Sequence, residues 1–375
     1  MNWKPILIIL AVVVLLAAAL LAKPVQVGIR TAAVFLDMGL SYKWHVTIPR
    51  NIMISEVTYP CDNRDVVANL YQPNDQCRHS GLILAPGAVK DGKDDAALTL
   101  AAQSLARAGY VVLLPQLDNL RSFRLHQDDI ETLVASFQYL SKQQFLNGRI
   151  GMVGICLSAP LVLLAAVDPD ISQDIAIVSS WGGYYNINDW LQSVITERYS
   201  DQGRIVAWKP RATLTEAVPR WFIEFLPSPS ERALVEEMLK GGSVPSAEVN
   251  LSASGQTIYE LLNNRDPERV PELWVRLGPE IQQTLDGLSP HLKIDQLRTN
   301  VAIIHTLTDD VIPWVESRKL AEAIDDEQEV YFKVFGRFYH TDIKQLLNVR
   351  LSNLVGIVSE ATQFYLYIYS ILYQL

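Results

Sequence analysis

Apolar and polar residues keep two different periods along this chain. "NIMISEVTYP" and "RDVVANLYQP" read as two strands around the turn "CDNRD". "SGLILAPG" and "YVVLLPQ" are short apolar runs of the kind buried on both faces of a sheet. Between them "DAALTLAAQSLARAG" has helical spacing and closes on Gly109. "HQDDIETLVASFQYLSKQ" is a helix, "GRIGMVGI" a strand, "APLVLLAAV" a helix and "DIAIVSSWGG" a strand again. This alternation predicts an α/β fold, a mainly parallel sheet with helices on both faces.

The alternation stops near Tyr185. From there to about Ser289 the pattern is helical, as in "ERALVEEMLKGG" and "PELWVRLGPEIQQTLDGL". It resumes with "NVAIIHTLTDD", "SRKLAEAI", "QEVYFKVFG" and a long final helix. The expected organisation is a core in two parts, residues 51–185 and 290–375, with a helical lid over 186–289.

The amino end has neither period. "PILIILAVVVLLAAALLA", Pro5 to Ala22, holds no polar side chain and is bracketed by Lys4 and Lys23. As a helix it spans about 27 Å, near the thickness of a bilayer core. Residues 1–23 are therefore expected to be a single-pass transmembrane anchor, with a cleaved signal segment as the other reading. The few flanking charges leave the side of the membrane open. Residues 24–50 form a juxtamembrane stretch in which Val25 to Leu40 reads as a short amphipathic helix.

Composition narrows the function classes. The chain has 375 residues and a net charge of −9, enough for one large core plus an insertion. The acidic balance argues against a nucleic-acid partner. Three cysteines make no disulfide scaffold. Cys61 lies at the hairpin turn and Cys77 beyond the strand's far end, too far apart to bridge.

The third cysteine carries the chemistry. In "GMVGICLSAPLVLLAA" a strand runs into a helix with no loop between them, and Cys156 stands at the join. Such a turn presents its central residue above the carboxyl edge of the sheet. It needs small neighbours, here Gly154 two residues before and Ser158 two after. The plain alternative is a buried free cysteine at a strand end. A nucleophile elbow is followed in chain order by an acid and then a histidine. "HTLTDDVIPW" places Asp309 and Asp310 just past a buried strand. Of six histidines only His340, in "VFGRFYHTDI", follows them. Taken singly, the aspartates could be a helix N-cap and His340 an exposed loop residue.

These motifs resemble the α/β-hydrolase superfamily, and specifically its dienelactone hydrolase group, whose elbow carries Cys in a G-x-C-x-G context. The resemblance covers roughly residues 52–375 outside the insertion. It implies a catalytic triad of Cys156, His340 and an acid. "LTDDVIPW" is similar to the family's acid loop, and counting back from Pro313 makes that acid Asp309, with Asp310 the runner-up. "LILAPGAVKDG" is similar to the loop after the third strand, which implies an oxyanion hole from the N–H groups of Ala88 and Leu157. Ser158 replaces the second elbow glycine, Pro86 stands where many relatives have His, and the insertion is far larger than the family's.

The implied activity is hydrolysis of an ester or thioester of a small molecule through a thioester acyl-enzyme. Two alternatives stay open: a Cys-dependent acyltransferase similar to polyester synthases, and a non-catalytic binding protein. Trp190, Trp208, Trp221, Phe222, Phe225 and Trp274 in the insertion suit an apolar acyl pocket, or simply the core of the lid itself. On the first reading the lid selects the substrate. No cofactor is expected. "GAVKDGKD" matches a phosphate loop except at its last position, where Asp94 replaces the magnesium-binding hydroxyl. No Cys or His cluster has metal-ligand spacing.

Overall fold

The computed structural model describes residues 22–44, 50–241, 251–336 and 354–375. Pro5 to Leu21, and with them the expected anchor, lie outside these; no described helix is long and apolar enough to cross a membrane.

The chain begins with helix α1 (Lys23–Trp44). Strands β1 (Ile52–Cys61) and β2 (Arg64–Pro73) form an antiparallel hairpin in which Cys61 pairs with Arg64 and Ile52 with Pro73. Then come β3 (His79–Ala85), helix α2 (Ala96–Arg107), β4 (Val111–Pro115), α3 (Asp128–Ser141), β5 (Leu146–Ile155), α4 (Ser158–Ala165) and β6 (Ile175–Trp181). Cys61 is buried, Cys77 is exposed, and both are free.

The insertion opens with α5 (Ile187–Thr196) and a small antiparallel hairpin, β7 (Arg198–Asp201) and β8 (Arg204–Ala207). The helical reading of this region missed that hairpin because its strands are four residues long and largely exposed, with no apolar run to mark them. Helices α6 (Ala212–Glu224), α7 (Pro229–Leu239), α8 (Ala253–Leu262), α9 (Val270–Arg276) and α10 (Pro279–Gly287) follow. The core resumes as β9 (Asn300–Thr306), α11 (Val315–Ala323), β10 (Glu329–Phe335) and α12 (Leu354–Gln374).

Eight strands make one sheet in the order β1-β2-β4-β3-β5-β6-β9-β10. Only β2 runs against its neighbours; from β4 to β10 every pairing is parallel. Parallel strands share a carboxyl edge, so the loops after β3, β5 and β9 converge there.

Alternation along each strand sends neighbouring side chains to opposite faces. Ile83, Leu113 and Met152 join the core under α3 and α4. Leu82, Leu84, Val112 and Val153 join a second core under α1, α2 and α12. The helix expected to be a short juxtamembrane element is 22 residues long and belongs to this second core. Val27, Thr31, Val34 and Asp37 lie on its buried face at helical spacing. Asp37 accepts from the Arg107 guanidinium and the Ser104 hydroxyl, both at 2.7 Å, which pins α1 to α2.

The ends of the insertion meet. Tyr184 donates to the Leu288 carbonyl at 3.0 Å, and His291 N–H to the Tyr185 carbonyl at 3.1 Å. The insertion has a core of its own, where Phe222 stacks on Trp274 at 5.9 Å and meets Trp221 edge-on at 5.6 Å.

Candidate active site at the carboxyl edge of the sheet

β5 passes into α4 at Cys156, whose φ of 59° lies in the left-handed region. A non-glycine residue held there carries strain of about 1–3 kcal/mol. Neighbouring bonds hold the turn: Cys156 N–H donates to the Trp181 carbonyl at 2.8 Å, and its own carbonyl accepts from Ala159 N–H at 3.1 Å. Any side chain at Gly154 would collide with the Ala159 backbone, so glycine is required there. Ser158 is more than a tolerated departure from the family's second elbow glycine. Its buried hydroxyl accepts from Ile155 N–H at 2.8 Å and lies 2.9 Å from the carbonyls of Ala85 and Ile155. It thereby ties the elbow to the end of β3.

The loop after β3 backs directly onto the elbow. A Cβ on Gly87 would lie 2.9 Å from the Ile155 carbonyl oxygen and 3.1 Å from Cys156 Cβ. That approach brings Ala88 to the rim beside Cys156. The N–H groups of Ala88 and Leu157 have no hydrogen-bond acceptor among the described residues.

The loop after β9 carries the two aspartates, and their environments differ. Asp309 is buried, and its Oδ1 accepts from Val311 N–H at 2.7 Å and Ile312 N–H at 2.9 Å. Its Oδ2 faces Gly182, and lies 3.4 Å from His305 Nε2. Asp310 is held by Arg211, which donates to Oδ1 from Nε at 3.1 Å and from a terminal nitrogen at 2.8 Å. Burial works against the charge of Arg211, but these bonds and the Asp310 carboxylate outweigh it. With smaller contributions from Cys156 and Asp309, they raise its pKa above the ordinary value. His340 lies outside the described residues.

Several supporting residues were not singled out from the sequence. His305 Nε2 points at two acceptors, the Ile312 carbonyl at 2.9 Å and Asp309, so that nitrogen carries a proton. Its Nδ1 lies 2.7 Å from the Ser317 hydroxyl. His305 therefore braces the acid loop from inside the sheet. Its only signal in the sequence was its spacing of four residues before Asp309. From the insertion, Trp208 Nε1 donates to the Asp309 carbonyl and Trp190 Nε1 to the Val311 carbonyl, each at 2.8 Å. Trp190 is buried in the core and Trp208 packs against it, as the plain reading of these rings expects, and both also strut this loop.

The phosphate-loop look-alike is closed to phosphate. Lys93 Nζ donates to Glu56 at 2.9 Å, Asn69 at 3.0 Å and Asp94 at 3.1 Å, so its charge is met by two carboxylates. Among the described residues no group of three or more His, Cys, Asp or Glu is placed to hold a metal ion.

The sequence matches no protein-family model and no curated protein. Solved structures do resemble the chain. The acylaminoacyl peptidase of Pyrococcus horikoshii superposes with a TM-score of 0.50 at 13% identity, over 88% of this chain and 42% of that one. Brefeldin A esterase, a bacterial homologue of human hormone-sensitive lipase, gives 0.49 at 13% identity over 91% and 86%. 2,6-Dihydroxy-pseudo-oxynicotine hydrolase gives 0.47 at 14% identity over 87% and 69%. The chain thus spans about two fifths of the peptidase it matches. At such identities the likeness is one of fold. With the strand order above, it makes this an α/β-hydrolase fold.

Proposed function

We propose that the protein is a hydrolase that cleaves an ester or thioester of a small apolar acyl substrate, with Cys156 as nucleophile. The observation that carries this reading is Cys156 itself: a strained cysteine on a strand-to-helix turn, at the wall of an apolar cavity. His340, oriented by Asp309, would take the Cys156 thiol proton as the sulfur attacks the acyl carbonyl. The N–H groups of Leu157 and Ala88 would hold the oxyanion, each worth about 3 kcal/mol. The leaving alcohol or thiol would depart with the proton from His340. Water, deprotonated by His340, would then cleave the thioester and regenerate the thiol. Asp309 fits the acid role better than Asp310, because Asp310 is already clamped by Arg211. Residues 5–22 would tether the enzyme to a bilayer.

Iodoacetamide mapped by peptide mass spectrometry should alkylate Cys156 in preference to Cys61 and Cys77. Cys156→Ala should abolish turnover of activated esters. Preferential labelling of either other cysteine, or undiminished turnover in Cys156→Ala, would overturn the assignment. Added alcohols or amines in the same assay separate hydrolysis from acyl transfer by the product formed. Membrane fractionation of the chain with and without residues 1–22 tests the tether.

A further inference from the structure

A cavity of about 600 Å³ opens beside Cys156 and extends into the core. It lies under α1, α2 and α12, and among the described residues the insertion touches it only at Arg211, Thr213 and Leu214. Its depth follows from the elements that line it. Along β5 the wall runs from Cys156 back to Val153, about 10 Å at strand rise. Along α12 it runs from Phe364 to Leu372, about 12 Å at helix rise. α12 is antiparallel to the strands: Phe364 packs on Trp181 at the carboxyl edge, while Leu375 reaches Gly151 deeper in the sheet. The cavity therefore runs down the sheet face as a channel. Its charged residues, Lys90, Asp95 and Arg211, belong to the loops beside Cys156 and to the base of the insertion. Its depth is aliphatic: Val34, Leu82, Leu105, Val153, Ile371 and Leu372.

Protein interiors are packed like organic crystals, with few voids larger than a water molecule. Water is a poor filler, because it needs polar partners that these walls lack. What fits is a flexible apolar chain whose polar end stays at the mouth.

We infer that the channel takes one unbranched acyl chain, octanoyl or longer, with its carbonyl at Cys156 and its methyl end between α2 and α12. This rests on the hydrolase reading for the role of Cys156, and it moves chain-length selection from the insertion to the helices on the sheet face. Ala101 of α2 and Leu105 one turn further on both line the channel and control its bore in opposite directions. Ala101→Phe narrows it, and Leu105→Ala widens it.

The experiment uses the full chain and two readouts. In the first, Cys156→Ala protein is irradiated with a fatty acid carrying a diazirine at its terminal carbon, and the adducts are mapped. Saturable adducts are expected on the α12 peptide around Ile371 and on α2, reduced at least tenfold by Ala101→Phe. In the second, turnover of acetyl to palmitoyl esters is compared between variants with an intact Cys156. Ala101→Phe should lower the dodecanoyl-to-acetyl ratio at least tenfold, and Leu105→Ala should shift the optimum to longer chains. Adducts confined to the insertion, no saturable adducts, or chain profiles that do not move in opposite directions would overturn the channel. Saturable adducts on α2 and α12 without ester turnover would keep the channel and overturn the hydrolase reading. Ester turnover indifferent to chain length, with no adducts on these helices, would do the reverse.

Discussion

The two faces of the sheet are built from the same strands and do opposite things. Under α3 and α4 the core is closed. Every residue of α4 is buried, and Leu133, Phe137 and Leu161 have almost no exposure. Its buried polar groups are paired: the hydroxyls of Tyr59 and Ser136 meet at 2.7 Å, and Asp129 accepts from Leu120 N–H at 2.9 Å. Under α1, α2 and α12 the core is hollow, and the strands' other side chains face the channel. Its polar contacts include Asp37 with Arg107, and Tyr367 with Ser179 at 2.7 Å, where Tyr367 lines the cavity. Burial pushes the Tyr367 hydroxyl far above its ordinary pKa, so it stays neutral and hydrogen-bonded. One face stabilises the sheet, and the other leaves room for a ligand.

The sharpest test of this contrast is a pair of truncations. Phe137→Ala on the closed face should cost about 3–5 kcal/mol in denaturant unfolding. Leu105→Ala borders a space that is already vacant and should cost less than about 2 kcal/mol, the low end of such truncations. Equal losses would mean that the faces do not differ in packing.

Next in size is Gly154→Ala, at the elbow between the two faces. A methyl group driven against the Ala159 backbone should cost about 1–3 kcal/mol and slow iodoacetamide labelling of Cys156 by shifting the turn. Unchanged labelling with unchanged stability would mean that the elbow yields freely.

Trp208→Phe probes how far the insertion supports the acid loop. Losing the bond to the Asp309 carbonyl should cost about 1 kcal/mol of stability and lower ester turnover about tenfold, while iodoacetamide labelling of Cys156 stays normal. Unaltered turnover would make the strut dispensable. The same bond changes the outcome expected for removing the insertion. Its ends meet, so the sheet should still close without it, but the acid loop would lose Trp190, Trp208 and Arg211 together. Small-ester turnover should therefore fall even in a folded deletion.

The smallest effect is Tyr367→Phe, which leaves the Ser179 hydroxyl a bond to the Ala302 carbonyl at 3.1 Å. It should cost about 1 kcal/mol. A loss as large as that of Phe137→Ala would place the main support of the fold on the hollow face.

Much was legible in the sequence because it rests on local rules. Strand and helix periods separated the two layers, and the α/β class followed from their alternation. The Gly154–Cys156–Ser158 spacing announced a tight turn, since only small residues fit where a strand meets a helix head-on. Asp309 and Asp310 were legible as a loop beyond a strand, but spacing alone did not separate their surroundings. That difference comes from Arg211, about a hundred residues away in the chain, which occupies Asp310. His305 looked like any strand residue until the fold brought the Ile312 carbonyl and Asp309 to its Nε2. The channel had no linear signature at all. Val34, Leu105, Val153 and Ile371 are ordinary core residues by pattern, and hydrophobic periodicity says which way a side chain points. It does not say whether the space it points into is filled. That is decided by how closely helices from opposite ends of the chain, α1 and α12, approach one sheet face, which is a property of tertiary packing alone.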